Sequence, residues 1–245
     1  MVKSEKILGF SIENWQLKEL IEEVPKYFKM NKKMLLTSLN PQILLMALKD
    51  EQVGKYLHQS THRFPDGIGV VKVSKWTNGN IQERVAGIEV MMELIRFAEK
   101  NSKSIFLYGA SPNVVEKAVL NLKRQHPELK VGGYVDGYTT KSDKEIIRNI
   151  NDSQADIIFV ALGSPKQEKW LLKHYSQLDS TVFQNVGGSF DVISGEVNRA
   201  PAWIIEHNLE WLYRSLSNPK RIYRILQLPV FVVKSLYWNY RYGNE

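Results

Sequence analysis

The chain has 245 residues, 43% hydrophobic and 24% charged, which fits one large domain or a domain with a small appendage and excludes wholesale disorder and fibrous repeats. It contains no cysteine, so disulfide frameworks, thiolate zinc sites and cysteine nucleophiles are excluded together. Lys and Arg number 33 against 26 Asp and Glu, a net charge of +7 that suits polyanionic partners: nucleic acid, anionic lipid or phosphorylated substrates.

No apolar core of signal-peptide length follows the N-terminal Met1-Val2-Lys3-Ser4-Glu5-Lys6, and no uncharged apolar run of about 18 residues occurs, so the expectation is a cytosolic chain without a spanning helix. The apolar run 34–39 reads as a buried strand. Asn40 and Pro41 then open a helix over 42–57, with Asn as N-cap and Pro at the first helical position. Residues 87–100 form a second amphipathic helix. From 104 to 188, short β-rich runs at 105–108, 131–135, 157–162 and 182–186 alternate with helical segments at 112–125, 142–151 and 165–175. Nearly all-apolar strands alternating with helices predict an α/β fold: a Rossmann-like parallel sheet flanked by helices. After about residue 195 the chain turns basic and aromatic. The expected division is a catalytic unit over 1–195 and a C-terminal helical appendage over 196–245, with 230–233 ambiguous between strand and helix.

Right-handed crossovers place the strand-to-helix loops on one edge of such a sheet. They read Gly109-Ala110-Ser111-Pro112, Asp136-Gly137-Tyr138, Gly163-Ser164-Pro165-Lys166-Gln167-Glu168 and Gly187-Gly188-Ser189-Phe190-Asp191. A glycine after a strand also serves as a plain turn, but four such loops on one edge suit a nucleotide diphosphate held by helix N-termini. Loop position makes Gly109, Asp136 and Asp191 the candidate nucleotide contacts. Neither the dinucleotide-binding nor the P-loop glycine signature occurs.

A second constellation is Pro65-Asp66-Gly67 with Glu83-Arg84-Val85-Ala86-Gly87. Asp-Gly is a routine turn, and the alternative is a general base that takes the proton of an attacking hydroxyl. Arg84 suits either a surface ion pair or bidentate phosphate binding. The five His form no ligand-like cluster and Asp-x-Asp is absent, so no metal site and no cofactor are expected. In the appendage, Arg214, Arg221 and Arg224 make either a solvated basic face or a clamp on phosphate groups. The apolar stretch 225–238, bounded by Arg and Lys, suits a helix lying in a membrane interface or one packed on the domain's own core.

Ser38-Leu39-Asn40-Pro41, Pro65-Asp66-Gly67, Arg84-Val85-Ala86-Gly87, Ala161-Leu162-Gly163-Ser164-Pro165-Lys166-Gln167-Glu168, Asn185-Val186-Gly187-Gly188-Ser189-Phe190-Asp191, Arg199-Ala200-Pro201 and Glu210-Trp211-Leu212-Tyr213-Arg214 occur in order. Together they resemble the WecG/TagA/CpsF glycosyltransferases over nearly the whole chain. The resemblance implies transfer from a UDP-sugar donor to a polyprenyl-diphosphate-linked sugar at the cytoplasmic membrane face, without a metal. In the teichoic-acid branch the donor is UDP-N-acetylmannosamine, the acceptor undecaprenyl-diphosphate-N-acetylglucosamine and the new linkage β-1,4. Other members use a mannosamine uronate, glucuronate or another hexose.

On this resemblance Asp66 is the catalytic base for inverting attack, and Asn40, Arg84 and Gln167 line the substrate pocket. Arg214, Arg221 and Arg224 meet the diphosphate. Some members carry Thr where this chain has Ser38 after Thr37, which leaves both hydroxyls as candidate contacts. The appendage is expected to hold the protein on the inner face of the cell membrane. Oligomeric state is open, a homo-oligomer included. Competing readings are a single-strand nucleic-acid binder using the Arg/Tyr/Trp tail and a non-catalytic lipid-binding scaffold. Both leave the four loops and Asp66 without a task, and no nucleic-acid partner is expected.

Overall fold

The computed structural model describes residues 2–197, 200–201, 203–204, 212–213 and 223–243. A hairpin of β1 (Ser4–Ile7) and β2 (Phe10–Glu13) turns through Leu8 and Gly9, both at positive φ. Helix α1 (Leu17–Met30) leads to β3 (Met34–Leu39), α2 (Pro41–Ala47), α3 (Glu51–Gln59), β4 (His62–Pro65), α4 (Ile68–Trp76) and α5 (Gly87–Lys100). Then follow β5 (Ser104–Gly109), α6 (Pro112–Gln125), β6 (Lys130–Val135), α7 (Asp143–Asp152), β7 (Ile157–Ala161), α8 (Lys166–His174), β8 (Val182–Asn185) and α9 (Ser189–Ile193). The last described helix is α10 (Tyr223–Tyr242).

Six strands form one parallel sheet in the order β4-β3-β8-β7-β5-β6, the α/β class expected from the alternation. Successive strand residues feed opposite faces, as the pleat requires. Ile157 and Phe159 join the core under α1, α5, α6 and α9, whereas Ile158 and Val160 join the one under α2, α3, α4, α7, α8 and α10. Both faces are therefore covered, which is why the inner strands β5 and β7 are almost wholly apolar.

The predicted strands hold to within a residue or two, and the helices 87–100 and 112–125 match at both ends. The single helix expected over 42–57 is instead two. Asp50 interrupts it because its carboxylate accepts from the Gln52 and Val53 amides, at 3.1 and 3.4 Å, and so caps a new helix. The ambiguous run 230–233 is helical, inside α10. That helix packs on α2 and α4 through Leu228, Phe231 and Val232. A Cβ at Gly69 would fall 2.7 Å from Leu228 Cδ1 and 2.9 Å from Pro41 Cγ, so a glycine is needed where α10 lies against the start of α4.

Candidate active site

At the carboxyl ends of the strands opens a cleft of about 1120 Å³, walled by the β3, β4, β5, β7 and β8 loops, by α2 and by α10. This is the expected ligand position in a doubly wound sheet. Three of the helices that begin here, α4, α6 and α8, have N-cap residues (Gly67, Ser111 and Pro165) that make no side-chain cap. By contrast α7 has its start tied off by a capping box at Ser142. Uncapped N-termini keep N–H groups and the positive ends of helix dipoles available to a charged ligand.

Asp66 leaves the end of β4, where its amide donates to the Leu39 carbonyl at 2.8 Å and ties it to β3. Its Oδ1 accepts from Arg84 Nε at 3.3 Å and its Oδ2 from the Gly87 amide at 3.2 Å, the first N–H of α5. Both side chains are largely covered, 25% exposed for Asp66 and 16% for Arg84. A Cβ placed on Gly87 would touch Asp66 Oδ2 and Ser38 Oγ, each at 3.4 Å. Ser38 and Asp66 thus converge on the same point of the cleft floor. An oriented carboxylate beside a serine hydroxyl and a guanidinium can accept a proton from a bound hydroxyl and hold an anionic group nearby.

Two adjacent residues of β3 separate by strand alternation. Ser38 faces the cleft, whereas Thr37 is fully buried, donating to the Tyr56 hydroxyl at 3.0 Å and lying 2.8 Å from Ser60 Oγ. Burial pushes that Tyr56 hydroxyl far above the usual phenol range. Asn40 lines the cleft and also caps α2, its Oδ1 accepting from Gln42 and Ile43 at 3.0 and 3.1 Å. The Oδ1 acceptor is thereby occupied; its amide nitrogen is the group left for a ligand.

The nucleotide loops are positioned with equal economy. Gly109 sits buried at a φ of 122°, and a Cβ there would lie 2.4 Å from the Ala161 carbonyl carbon, so glycine is what lets β5 turn against β7. The wall of the cleft is formed by the next residues, Ala110 and Ser111. Asp136 closes a short turn by accepting from the Tyr138 amide at 2.9 Å, and Gly137 and Tyr138 reach the cleft beside it. Asp191 lines the opposite side from α9. Gln167 is on the wall but only 4% exposed. Arg214 and Arg221 lie outside the described residues, as does the side chain of Arg224, whose backbone is in the first turn of α10.

Several cleft residues escaped sequence reasoning. Asn185 ends β8 and Glu168 lies in the first turn of α8, both buried. Lys49 after α2 and Gln227 and Lys234 on α10 also line the cleft. Glu168 and Asn185 stand inside motifs visible in the sequence, but their burial required the sheet order. Among the described residues no three His, Cys, Asp or Glu stand together as a metal site.

The model of the glycosyl transferase WecG/TagA/CpsF family matches residues 5–244. An N-acetylglucosaminyldiphosphoundecaprenol N-acetyl-beta-D-mannosaminyltransferase of Bacillus subtilis strain 168 is 38% identical over 238 residues, covering 96% of this chain and 92% of that protein. The enzyme of the same name from Bacillus spizizenii is 38% identical over 210 residues, covering 86% and 81%. The one from Staphylococcus aureus strain MW2 is 34% identical over 230 residues, covering 93% and 90%. With an uncapped-helix cleft at the sheet edge and an oriented carboxylate on its floor, the chain is a glycosyltransferase and belongs to the WecG/TagA/CpsF family.

Proposed function

We propose that this enzyme transfers N-acetylmannosamine from UDP-N-acetylmannosamine to the 4-hydroxyl of N-acetylglucosamine on undecaprenyl diphosphate, in the assembly of a wall teichoic acid linkage unit. The names of the relatives support the sugar and the acceptor. The observation that carries the reading is Asp66, held by Arg84 and the Gly87 amide at the floor of the cleft. Asp66 takes the proton of the acceptor hydroxyl as its oxygen attacks the anomeric carbon. The bond from that carbon to the UDP oxygen breaks on the opposite face, so the centre inverts.

Charge gathering on the departing diphosphate meets the amide ends of α6 and α8 together with the Lys166 side, groups that need no metal ion to act. Ser38, Asn40, Arg84 and Gln167 belong to the sugar side of the cleft in this reading. The loops at Gly109, Asp136 and Asp191 belong to the uridine side. Arg214, Arg221 and Arg224 meet the acceptor diphosphate.

Residues 1–195 carry the chemistry in this proposal and residues 196–245 bring it to the membrane. Support comes from α10, which is apolar on both sides. Phe231 and Ser235 face inward and are buried, while Leu226, Val233, Tyr237 and Tyr240 lie three, four or seven residues apart along the outer side and are exposed. An exposed apolar stripe of this kind ordinarily has a cover. Arg241 beside this stripe fits an anionic headgroup, the pattern of a helix lying in a bilayer interface. Among the described residues no helix is long and apolar enough to cross a membrane.

The test is UDP release from a panel of UDP-sugars, with and without a short-chain polyprenyl-diphosphate-N-acetylglucosamine, in EDTA. Acceptor-dependent release with UDP-N-acetylmannosamine that survives EDTA and collapses in Asp66→Asn supports the reading. Preference for a uronate or hexose donor moves the enzyme to another branch of the family. Dependence on a divalent ion removes the metal-free mechanism.

A further inference from the structure

One carboxylate in the cleft wall has no task in the chemistry above. Glu168 is completely buried, yet its Oε1 accepts three hydrogen bonds. Ser164 Oγ donates to it at 2.9 Å, Gln167 Nε2 at 2.7 Å and Asn185 Nδ2 at 2.8 Å. Gln167, thus oriented, accepts the Gly187 amide on its own Oε1 at 3.2 Å. The donors come from two different loops: Ser164 and Gln167 from the turn after β7, Asn185 and Gly187 from the end of β8 and the turn after it. Both turns line the cleft.

We propose that Glu168 is a positioning residue for donor binding: it sets the distance between the β7–α8 and β8–α9 turns and acts through the Gln167 amide. This rests on the reading of these turns as the sugar-nucleotide cradle. Burying a carboxylate is costly unless it is well bonded, so a Glu placed here must organise its neighbours. The β7–β8 ladder reaches as far as the Val186 amide, which donates to the Val160 carbonyl at 2.9 Å, and the turns begin beyond it. Gly187 lies in the left-handed region at a φ of 52°, and a Cβ there would meet nothing within 4 Å. Its amide is aimed by one acceptor, Gln167 Oε1, and that acceptor is aimed by Glu168. Ordering the two turns before the ligand arrives lowers the entropy lost on binding.

The other carboxylate oxygen separates this role from a direct one. Glu168 Oε2 is buried and has no hydrogen-bond partner among the described residues. All three donors therefore converge on a single oxygen, and a glutamine carbonyl at the Oε1 position serves them equally. The conservative variant should then keep the brace while removing the charge.

The experiment compares wild type, Glu168→Gln, Glu168→Ala and Gln167→Met in the full chain. It measures the KM for UDP-N-acetylmannosamine, kcat, Tm and hydrogen exchange of the Gly187 amide by NMR. Glu168→Ala and Gln167→Met are expected to raise KM about tenfold, with kcat changed less, and to speed Gly187 exchange at least tenfold. Glu168→Gln should hold both within about twofold. Should Glu168→Ala fail to fold, as Tm would reveal, Gln167→Met carries the same prediction without emptying the hub. Equal damage from Glu168→Gln and Glu168→Ala overturns the proposal, because the charge itself is then required. Unchanged Gly187 exchange in Gln167→Met overturns it as well. Exchange needs no substrate, so wild type that ignores UDP-N-acetylmannosamine sinks the donor assignment while the exchange data still judge the brace.

Discussion

The two ends of the same parallel strands are built on opposite terms. At the amino ends, polar groups are spent on one another. Asp156 accepts from the Ser104 amide at 2.8 Å and from Lys103 Nζ at 3.0 Å, and its backbone carbonyl takes the Thr181 and Val182 amides. Lys33 donates to the Tyr175, Ser176 and Leu178 carbonyls at 2.9, 3.0 and 2.6 Å, and burial lowers its ammonium below the usual lysine range. At the carboxyl ends, three helices (α4, α6 and α8) start uncapped and two buried acceptors, Glu168 Oε2 and Asn185 Oδ1, have no partner among the described residues. Saturated polar groups stabilise a fold and unsaturated ones cost stability, so the contrast divides the molecule into an edge that holds and an edge that binds.

Substitutions on the two edges should therefore fail in different assays. The largest effect is expected from Asp66→Asn, which keeps an acceptor for the Gly87 amide but removes the base. Turnover should drop by about 10²–10⁴-fold, the usual share of a general base, with UDP affinity and Tm close to wild type. A lost UDP affinity would make Asp66 a binding residue and blur the division.

Next in size is a pH effect on stability away from the cleft. Burial lowers the His62 imidazole to about 4, in a pocket where Trp15 and Tyr27 pack against the ring. The folded state favours neutral His62, so its contribution is complete above the unfolded value near 6.5 and is lost as pH falls from there toward 4, by about 3 kcal/mol. Denaturant midpoints of His62→Phe should fall less steeply than those of wild type across this window. Parallel slopes would reject the assignment.

At the holding edge, Asp156→Ala should cost about 2 kcal/mol, a Tm lower by roughly 4–8 °C, with kcat/KM unchanged. Lost activity at full stability would reverse the contrast. The smallest effect concerns α10: Val233→Glu with Tyr237→Glu should weaken co-sedimentation with anionic vesicles about tenfold and leave UDP affinity intact. Unaltered sedimentation would mean that something other than lipid covers this stripe.

Much of this division was legible in the residues. Strands such as 105–108 and 157–161 announce themselves because both faces are covered and every position is apolar. The loops carry glycine where the backbone turns sharply, as at Gly109, and Asp66 stands between two residues that punctuate structure. What could not be read is whatever depends on a neighbour far along the chain. Thr37 and Ser38 are chemically alike, and only the pleat of β3 against β4 and β8 sends one inward and the other to the cleft. Glu168 reads as an ordinary first-turn carboxylate of α8 until β8 brings Asn185 to it. The helix break at Asp50 escaped for a local reason: apolar residues at Leu44, Leu45 and Leu48 are followed by Val53, Tyr56 and Leu57, and a single capping carboxylate between them starts a new helix.

The strand order carries a consequence for how the enzyme comes into being. β8 lies between β3 and β7, so the strand that bears Ser38 gains its inner neighbour only when residues 182–185 have emerged from the ribosome. Until then the β3–β4 pair presents a long apolar edge, and its join to the β7–β5–β6 half spans well over a hundred residues of chain. Such distant pairing is slow, because the loop must close before any contact rewards it. The Asp66 floor and the glycine turns of the cleft therefore meet in a late step of synthesis, and a nascent chain released before β8 would have every motif up to Glu168 and no completed cleft.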